Sequence, residues 1–71
     1  MNKVYWKGNL SETDDFGDRY TDEMFDGATV HGPWACMTGK SWRQHGVGIL
    51  GQGKGQRYRK QSDGRWMKVE G

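Results

Sequence analysis

Apolar residues along this chain occur in short runs that glycines and acidic segments interrupt, a pattern typical of short β-strands. Residues 4–6 predict a first short strand, and residues 19–25 alternate between polar and apolar side chains as a second strand would. Asp26 and Gly27 follow, and they predict a tight hairpin turn because both tolerate the positive φ that such turns need. Residues 28–31 are then the expected return strand.

The middle of the chain predicts a break, another extended segment and one short helix. Gly32 and Pro33 end the return strand, and residues 34–37 resume extended structure. Residues 40–45 predict a single helical turn that directs Trp42 inward. No coiled-coil period is present. At most one short helix is expected, at residues 40–45.

The end of the chain predicts a second hairpin. Residues 56–61 and 65–69 flank a glycine-containing turn at residues 62–64. Tyr58 and Trp66 are candidates to meet across its two strands. Together these elements predict a small, mostly-β fold made of β-hairpins with at most one short helix.

Residues 1–71 are expected to form a single domain, because a chain of this length has room for one core. Within it, residues 46–55 carry five glycines and are expected to be a flexible, glycine-rich loop. Residues 56–69 are the expected C-terminal basic hairpin. The nine aromatic residues, four of them tryptophan, are the main material for the core.

Cysteine content and hydropathy bear on where the protein works. The single cysteine, Cys36, excludes an internal disulfide, so nothing favours an oxidising compartment. No apolar run has the length of a signal peptide or a transmembrane helix. We therefore expect a soluble, cytoplasmic protein without a membrane partner.

The overall charge of +2 conceals an uneven distribution along the chain. Residues 1–39 carry three basic and seven acidic side chains, a net charge of −4. Residues 40–71 carry eight basic and two acidic side chains, a net charge of +6. Such a split favours an anionic partner for the second half. The alternative is that the two halves attract each other across the fold.

The basic residues of the second half cluster tightly around a tyrosine, which favours a nucleic-acid-binding surface. The candidate phosphate-binding residues are Lys54, Arg57, Arg59, Lys60 and Arg65. Alternate residues of a hairpin share a face, so Arg57 and Arg59 are expected to line up along a phosphate backbone, with Arg65 as a further candidate for the same face. Tyr58 and Trp66 would then point into the core, whereas the opposite register would expose them for stacking on bases.

The glycine-rich loop contains two partial matches to nucleotide-binding motifs. Residues 46–51 have the spacing of the dinucleotide fingerprint, but no βαβ unit surrounds them. Residues 48–54 nearly match a phosphate-binding P-loop, with Gly55 in place of the hydroxyl residue that binds magnesium. Two hypotheses remain: a loop whose backbone N–H groups and Lys54 hold an anion, or a plain flexible loop.

Metal binding and catalysis have little support in the sequence. His31, Cys36 and His45 are the only histidine and cysteine side chains, and their spacing fits no standard zinc site. We expect no metal and no cofactor, with Cys36 as a small buried apolar residue. The carboxylates of the first half are expected to form a solvated face, and so short a chain leaves little room for a substrate cleft. The sequence thus predicts a protein that is not an enzyme and has no small-molecule substrate.

Three stretches of the chain resemble a known group of proteins. They are residues 26–37, which include Gly-Pro-Trp-Ala, residues 45–48, and residues 51–58, which include Gly-Lys-Gly-Gln. Small bacteriophage-encoded zinc-ribbon-like proteins pair a Gly-Pro-Trp-Ala strand with a Cys-x-x-Cys knuckle and a glycine-rich tail, and this chain is similar to them over roughly residues 13–60. The resemblance implies a phage or prophage origin, the cytoplasm of a host cell and a zinc-ribbon-like arrangement of hairpins. It implies no defined activity.

All four metal ligands of a zinc ribbon are replaced in this chain. Where a ribbon has Cys-x-x-Cys-Gly and a second Cys-x-x-Cys, the slots here hold Thr13, Phe16, Thr38 and Ser41. The resemblance therefore does not carry metal binding over. Phe16 is expected to be an apolar plug in the volume of the metal, with the three hydroxyl side chains hydrogen-bonded across the same place.

Two functions are compatible with these observations. The first is a non-enzymatic accessory protein that binds nucleic acid through the basic hairpin and the glycine-rich loop, weakly and without sequence preference. The alternative is a phage protein that binds and modulates or inhibits a host protein of the transcription, defence or replication machinery. An exposed Trp34 would favour the alternative, because tryptophan is common at the energetic centres of interfaces.

Overall fold

Four strands form one antiparallel sheet in the computed structural model, which describes residues 2–71. The elements in chain order are β1 (Glu23–Ala28), β2 (Trp34–Met37), α1 (Gly39–His45), β3 (Gly55–Lys60) and β4 (Trp66–Glu70). The strands lie in the order β2-β1-β3-β4, so β1 and β3 occupy the centre. The predicted fold class, small and mostly β with one short helix, is confirmed. Within the described residues, no helix has the length and apolar character needed to cross a membrane.

β1 runs straight through the residues predicted to form the first hairpin turn. Gly27 pairs with Ala35 of β2 on one side and with Gly55 of β3 on the other, so it lies in the middle of the sheet. The predicted turn at residues 26–27 is therefore wrong. The strand predicted for residues 19–25 both begins and ends later than expected, at the bounds of β1.

The chain reverses between β1 and β2 at a turn that Thr29 closes. The backbone N–H and the hydroxyl of Thr29 both donate to the carbonyl oxygen of Pro33, at 3.2 and 2.7 Å. Gly32 in this turn has a φ of +110°, a conformation that glycine adopts without steric cost. Residues 28–31, predicted as a return strand, instead contain the end of β1 and the start of this turn, so that prediction is wrong.

The core on one face of the sheet is built around Trp42, which α1 directs inward as predicted. Its ring stacks on Phe25, with the ring centroids 5.3 Å apart and the planes 4° from parallel. Three glycines, Gly27, Gly46 and Gly55, lie against the indole, and a Cβ added at Gly27 would be 2.8 Å from it. Gly27 is therefore needed for packing rather than for a turn, which explains why the Asp-Gly pair was misleading.

α1 begins at a capped N-terminus and ends at a glycine. Thr38 has extended backbone angles (φ −73°, ψ 170°), and its hydroxyl accepts a hydrogen bond from the N–H of Ser41 at 3.1 Å. At the other end, the N–H of Gly46 donates to the carbonyl oxygen of Trp42 at 2.9 Å. The seven-residue helix thus contains the helical turn predicted for residues 40–45.

The N-terminal segment covers the face of the sheet opposite α1 with aromatic side chains. In the register of β3 and β4, Tyr58 lies opposite Lys68 rather than opposite Trp66. Tyr58 contacts Trp6 edge-on instead, with the ring centroids 5.5 Å apart, and Trp66 contacts Tyr20 at 5.9 Å. The two aromatic residues of the hairpin therefore pack on residues from before β1 rather than directly on each other.

Both outer strands have neighbours along part of their free edges. Beside β4, the N–H of Lys68 donates to the carbonyl oxygen of Val4 at 2.7 Å, so the extended segment predicted at residues 4–6 exists as a short pairing. Beside β2, Asp15 donates its N–H to the carbonyl oxygen of Cys36 at 3.1 Å and accepts the N–H of Cys36 at its carboxylate at 2.8 Å. An acidic loop thus takes the place of a further strand and blunts this edge.

Candidate nucleic-acid interface

The five predicted phosphate-binding side chains all lie on or next to the hairpin of β3 and β4. Lys54 lies in the turn before β3, and Arg65 directly precedes β4. Arg57 and Arg59 share the face of β3 on which α1 packs, as the predicted alternation requires, whereas Lys60 lies on the other face. The fold therefore places the five cations on one hairpin but divides them between its two faces.

Arg57 is held inside the fold by two carboxylates. Its Nη1 donates to Glu23 at 3.1 Å, and its Nε donates to Glu70 at 3.0 Å. The side chains of Arg57 and Glu23 are only 25% and 29% exposed. Binding a phosphate here would leave a partly buried carboxylate without its partner, which is unfavourable. Arg57 therefore stabilises the sheet and is poorly placed to contact nucleic acid.

Arg59 and Arg65 also face carboxylates, but at the surface. Arg59 lies 3.5 Å from Asp22, and the Nε of Arg65 donates to Asp63 at 2.8 Å. Hydrogen bonds from the backbone and the side chain of Arg65 lower the pKa of Asp63, and the same side-chain bond raises the pKa of Arg65. Exposed ion pairs contribute little to stability, so both arginines can exchange a carboxylate for a phosphate.

These ion pairs account for part of the uneven charge distribution. The pairs of Arg57 with Glu23 and of Arg59 with Asp22 each join the basic second half of the chain to its acidic first half. The alternative drawn from the sequence, that the two halves attract each other across the fold, therefore has direct structural support.

Lys54 and Lys60 differ from the arginines of the hairpin. Among residues 2–71, neither lysine belongs to an ion pair, and both are exposed. The ammonium of Lys60 lies 6.0 Å from the ring centroid of Trp66. These two lysines are therefore the cations of the predicted set that are best placed to meet an anionic partner.

A pocket of about 280 Å³ opens beside Lys60. Tyr20 and Trp66 supply its aromatic wall, and Arg19 and Lys60 supply positive charge at the same opening. Arg19 meets Glu12 only in a long contact of 3.5 Å between two highly exposed side chains. Burial, and then nearby negative charges, raise the pKa of Tyr20, so its hydroxyl stays neutral in physiological solution. The pocket thus offers ring surface and two cations, beside the carboxylate of Glu12.

Arg19 and Tyr20 were missed as site residues by reasoning from the sequence. Both stand in the acidic first half, and only the fold brings them beside Lys60 and Trp66. The signal that was available is a repeated dipeptide, since Arg19-Tyr20 and Arg65-Trp66 both place a basic residue directly before an aromatic one.

Several N–H groups of the glycine-rich loop form hydrogen bonds within the turns of the loop itself. The N–H groups of Lys54 and Gly55 both donate to the carbonyl oxygen of Gly51 at 3.0 Å, and the N–H of Gly51 donates to Gly55 at 2.8 Å. Gly51 and Gly53 have positive φ, as tight turns require. Three N–H groups are thus unavailable to an anion, so Lys54 contributes more to anion binding than the loop backbone does. The predicted flexibility of this loop stays a prediction.

Asp14 joins residues 13–17 to residues 38–41, the two segments in which the sequence resembles zinc-ribbon knuckles. Its buried carboxylate accepts hydrogen bonds from the N–H groups of Phe16, Asp18 and Thr38 at 2.8–2.9 Å. Burial alone would raise the pKa of Asp14, but hydrogen bonds from the Ser41 side chain and from these N–H groups outweigh it, so the pKa lies below 3.8. The two segments therefore meet around a carboxylate.

Phe16 is not the predicted apolar plug between these segments. Its side chain is 42% exposed and stacks on the ring of His45, with the centroids 4.0 Å apart and the planes 7° from parallel. The prediction that Phe16 fills the volume of a metal is wrong, because Asp14 occupies the space between the two segments and the phenyl ring lies outside it.

Cys36 has the character of a protected thiol. It is half-buried on β2, and burial, followed by the negative charges of Asp26, Asp15 and Asp14, raises its pKa to about 11. A thiol with such a pKa is protonated at neutral pH and is a poor nucleophile. Residues 2–71 contain no group of three or more His, Cys, Asp or Glu side chains placed to hold a metal ion.

Comparison with protein-family models, with curated proteins and with solved structures finds no match to this chain. Its function therefore has to be inferred from the geometry of the hairpin, the pocket and the exposed apolar side chains.

Proposed function

We propose that this protein is a small, non-enzymatic accessory protein that binds single-stranded nucleic acid through the β3–β4 hairpin and the pocket beside it. The observation that carries the proposal is the pocket, where Tyr20 and Trp66 lie next to the cations of Arg19 and Lys60. Lys54, exposed in the turn before β3, is a second unpaired cation within the described residues, at the other end of this strand from Lys60.

Stacking in the pocket supplies the part of the affinity that does not depend on salt. A base that stacks on an aromatic side chain contributes about 1–3 kcal/mol, and every base offers the same ring face. The volume of about 280 Å³ lies just below the roughly 300 Å³ at which small-molecule pockets start, so the pocket accommodates one base at most. The predicted binding is therefore weak and insensitive to sequence.

Phosphate contacts supply the part of the affinity that depends on salt. Lys54 and Lys60 are free of ion pairs within the described residues, and Arg59 and Arg65 can exchange their exposed carboxylates. Three or four phosphate contacts to a single strand predict a slope of about −2 to −3 in a plot of log affinity against log salt concentration.

The test is a salt titration by fluorescence anisotropy with a labelled DNA single strand, the matching duplex and an RNA single strand. The variants Lys54→Ala and Lys60→Ala are expected to weaken binding several-fold and to reduce the salt slope by about 0.7 each. Lys40→Ala is the matched control, since Lys40 is exposed on α1, belongs to neither the hairpin nor the pocket lining, and its loss changes the net charge equally. An equal effect of Lys40→Ala would reduce the interaction to general charge attraction. Absence of binding at low salt would refute the proposal.

A second candidate function, the binding and modulation of a host protein by a phage protein, is favoured by a different observation. Trp34, Val30 and Ile49 are 47%, 66% and 59% exposed, and tryptophan is enriched at the energetic centres of protein interfaces. Trp34 begins β2 next to the turn that carries Val30. If no nucleic acid binds, capture of a single stoichiometric host protein that Trp34→Ala no longer captures would support this candidate.

A further inference from the structure

The two histidines of the chain, 14 positions apart in sequence, meet at the surface of the fold. Nε2 of His31 lies 3.0 Å from Nδ1 of His45, and the ring centroids are 5.2 Å apart. His31 is exposed, and His45 is half-buried at the end of α1. Neither the nucleic-acid proposal nor the packing of the core accounts for this pair.

Three contacts of the surrounding chain position the two rings. The N–H of Val30 donates to the carbonyl oxygen of His45 at 2.8 Å, which fixes the turn before β2 against the end of α1. The N–H of His31 donates to the hydroxyl of Thr29 at 3.3 Å. Phe16 stacks face to face on His45 and limits the rotation of its ring. The pair is therefore organised by the fold before any ligand binds.

We propose that His31 and His45 form a two-ligand site for a divalent late transition metal ion, Cu²⁺ or Ni²⁺. Imidazole nitrogens suit these ions, which favour square-planar or tetragonal coordination. Two nitrogens about 2.05 Å from an ion in adjacent square-planar positions are about 2.9 Å apart. A hydrogen bond already holds the two nitrogens at 3.0 Å, so an ion that replaces the shared hydrogen requires little change in their separation.

Binding breaks the hydrogen bond between the rings: the ring nitrogen that carries the hydrogen becomes unprotonated by a change of tautomer, and both nitrogens turn toward the ion. His31 can make this movement easily because its side chain is exposed. The described residues offer no third His, Cys, Asp or Glu at this place, so water fills the remaining positions. The site therefore differs from the four-ligand zinc site that the sequence argues against, and the ion it binds is exchangeable.

Calorimetric titration with NiCl₂ and with CuCl₂, in a buffer that does not bind metals, tests the proposal. One ion per chain is expected, with MgCl₂ giving no heat because Mg²⁺ prefers oxygen ligands. His31→Gln and His45→Gln are each expected to weaken Ni²⁺ binding at least tenfold, because each removes one of two ligands. Cys36→Ser is the control for the only thiol and is expected to leave the affinity unchanged.

Two further measurements keep the test decisive if a variant folds poorly. The electron paramagnetic resonance spectrum of the Cu²⁺ complex of the unaltered protein is expected to show coupling to two imidazole nitrogens. Saturating Ni²⁺ is expected to raise the melting temperature, because binding to the folded state alone stabilises it. Full affinity in either histidine variant, or a spectrum with fewer than two imidazole nitrogens, would overturn the proposal.

Discussion

The carboxylate of Asp14 gathers hydrogen-bond donors from two segments that are distant in sequence. A metal ion in a zinc ribbon gathers thiolates from two such segments and contributes directly to the folding free energy. Here one buried side chain accepts N–H groups from its own loop and from Thr38, while Asp18 accepts the Thr38 hydroxyl. Hydrogen bonds to a charged group are stronger than neutral ones, so Asp14 is a principal stabilising residue of this end of the fold.

The variant Asp14→Asn is expected to lower the unfolding free energy at pH 7 by about 1.5–3 kcal/mol, since bonds to a charge are replaced by weaker ones. The pKa of Asp14 is depressed in the folded state, so its contribution is present above the unfolded pKa and is lost as pH falls through the folded value. Urea unfolding at pH 7 and at about pH 2.5 should therefore show a difference between the proteins that shrinks in acid.

The matched control for this measurement is Asp22→Asn, which removes an exposed carboxylate that is 70% accessible. Its effect is expected to stay below about 1 kcal/mol at pH 7. A difference between Asp14→Asn and the unaltered protein that is equally large at both pH values would show that the charge of Asp14 is not the source of its contribution.

At this scale the sequence identified the right segments and the wrong residue. The spacing of residues 13–17 and 38–41 predicted that the two segments meet, and they do. Phe16 was chosen as the residue between them because apolar volume can be estimated from composition. A carboxylate that accepts several backbone N–H groups cannot be recognised in this way from the sequence, because only the folded loop defines the positions of those groups.

Among the elements, the packing of α1 on the sheet decides where the strands run. The indole of Trp42 needs flat backbone beneath it, and Gly27 and Gly55 supply that surface from the two central strands. The Asp-Gly pair at residues 26–27 has the local signature of a turn, but the long-range contact with Trp42 prevails. The second hairpin was predictable because its turn residues make no such distant contact. Element boundaries thus follow from sequence only where local preference and packing agree.

Gly46→Ala tests this packing, because the added Cβ would collide with the six-membered ring of Trp42. Overpacking of this kind is expected to cost about 1–3 kcal/mol. In a Trp42→Phe background two of the three colliding indole atoms, Cε3 and Cζ3, are absent, so the cost of Gly46→Ala should fall, giving a coupling above about 0.5 kcal/mol in a double-mutant cycle.

Gly48→Ala provides the comparison for this cycle. Gly48 has a φ of +82° and nothing within 4 Å of an added Cβ, so its cost arises from the backbone alone. That cost is expected to be about 1–2 kcal/mol and the same in both backgrounds. Additive effects of Gly46→Ala and Trp42→Phe would mean that the ring and the glycine do not restrict each other.

Over the whole molecule, the uneven charge distribution serves both the fold and the exposed surface. The acidic first half is drawn to the basic second half through Glu23 and Arg57, in the middle of the sheet. Lys54 and Lys60 stay outside these pairs within the described residues and are the unpaired, exposed cations of the basic cluster. The sequence showed the charge split and both of its explanations, but not which cation serves which purpose. That assignment depends on strand order, since only the placement of β3 between β1 and β4 surrounds Arg57 with carboxylates.

Stability and binding should therefore separate within the basic cluster. Arg57→Gln and Glu23→Gln are each expected to destabilise the protein, with a coupling of about 1 kcal/mol between them, because the pair is three-quarters buried but not fully desolvated. Arg59→Gln and Asp22→Asn remove a pair that is 51% and 70% exposed, so their coupling should stay below about 0.5 kcal/mol and vanish in about 1 M salt.

Lys60→Ala should leave the urea midpoint unchanged while it weakens binding to single strands. If Lys60→Ala destabilises the fold as much as Arg57→Gln does, the division of the cluster into internal and outward cations is wrong, and the loss of binding by that variant would report unfolding rather than a lost contact.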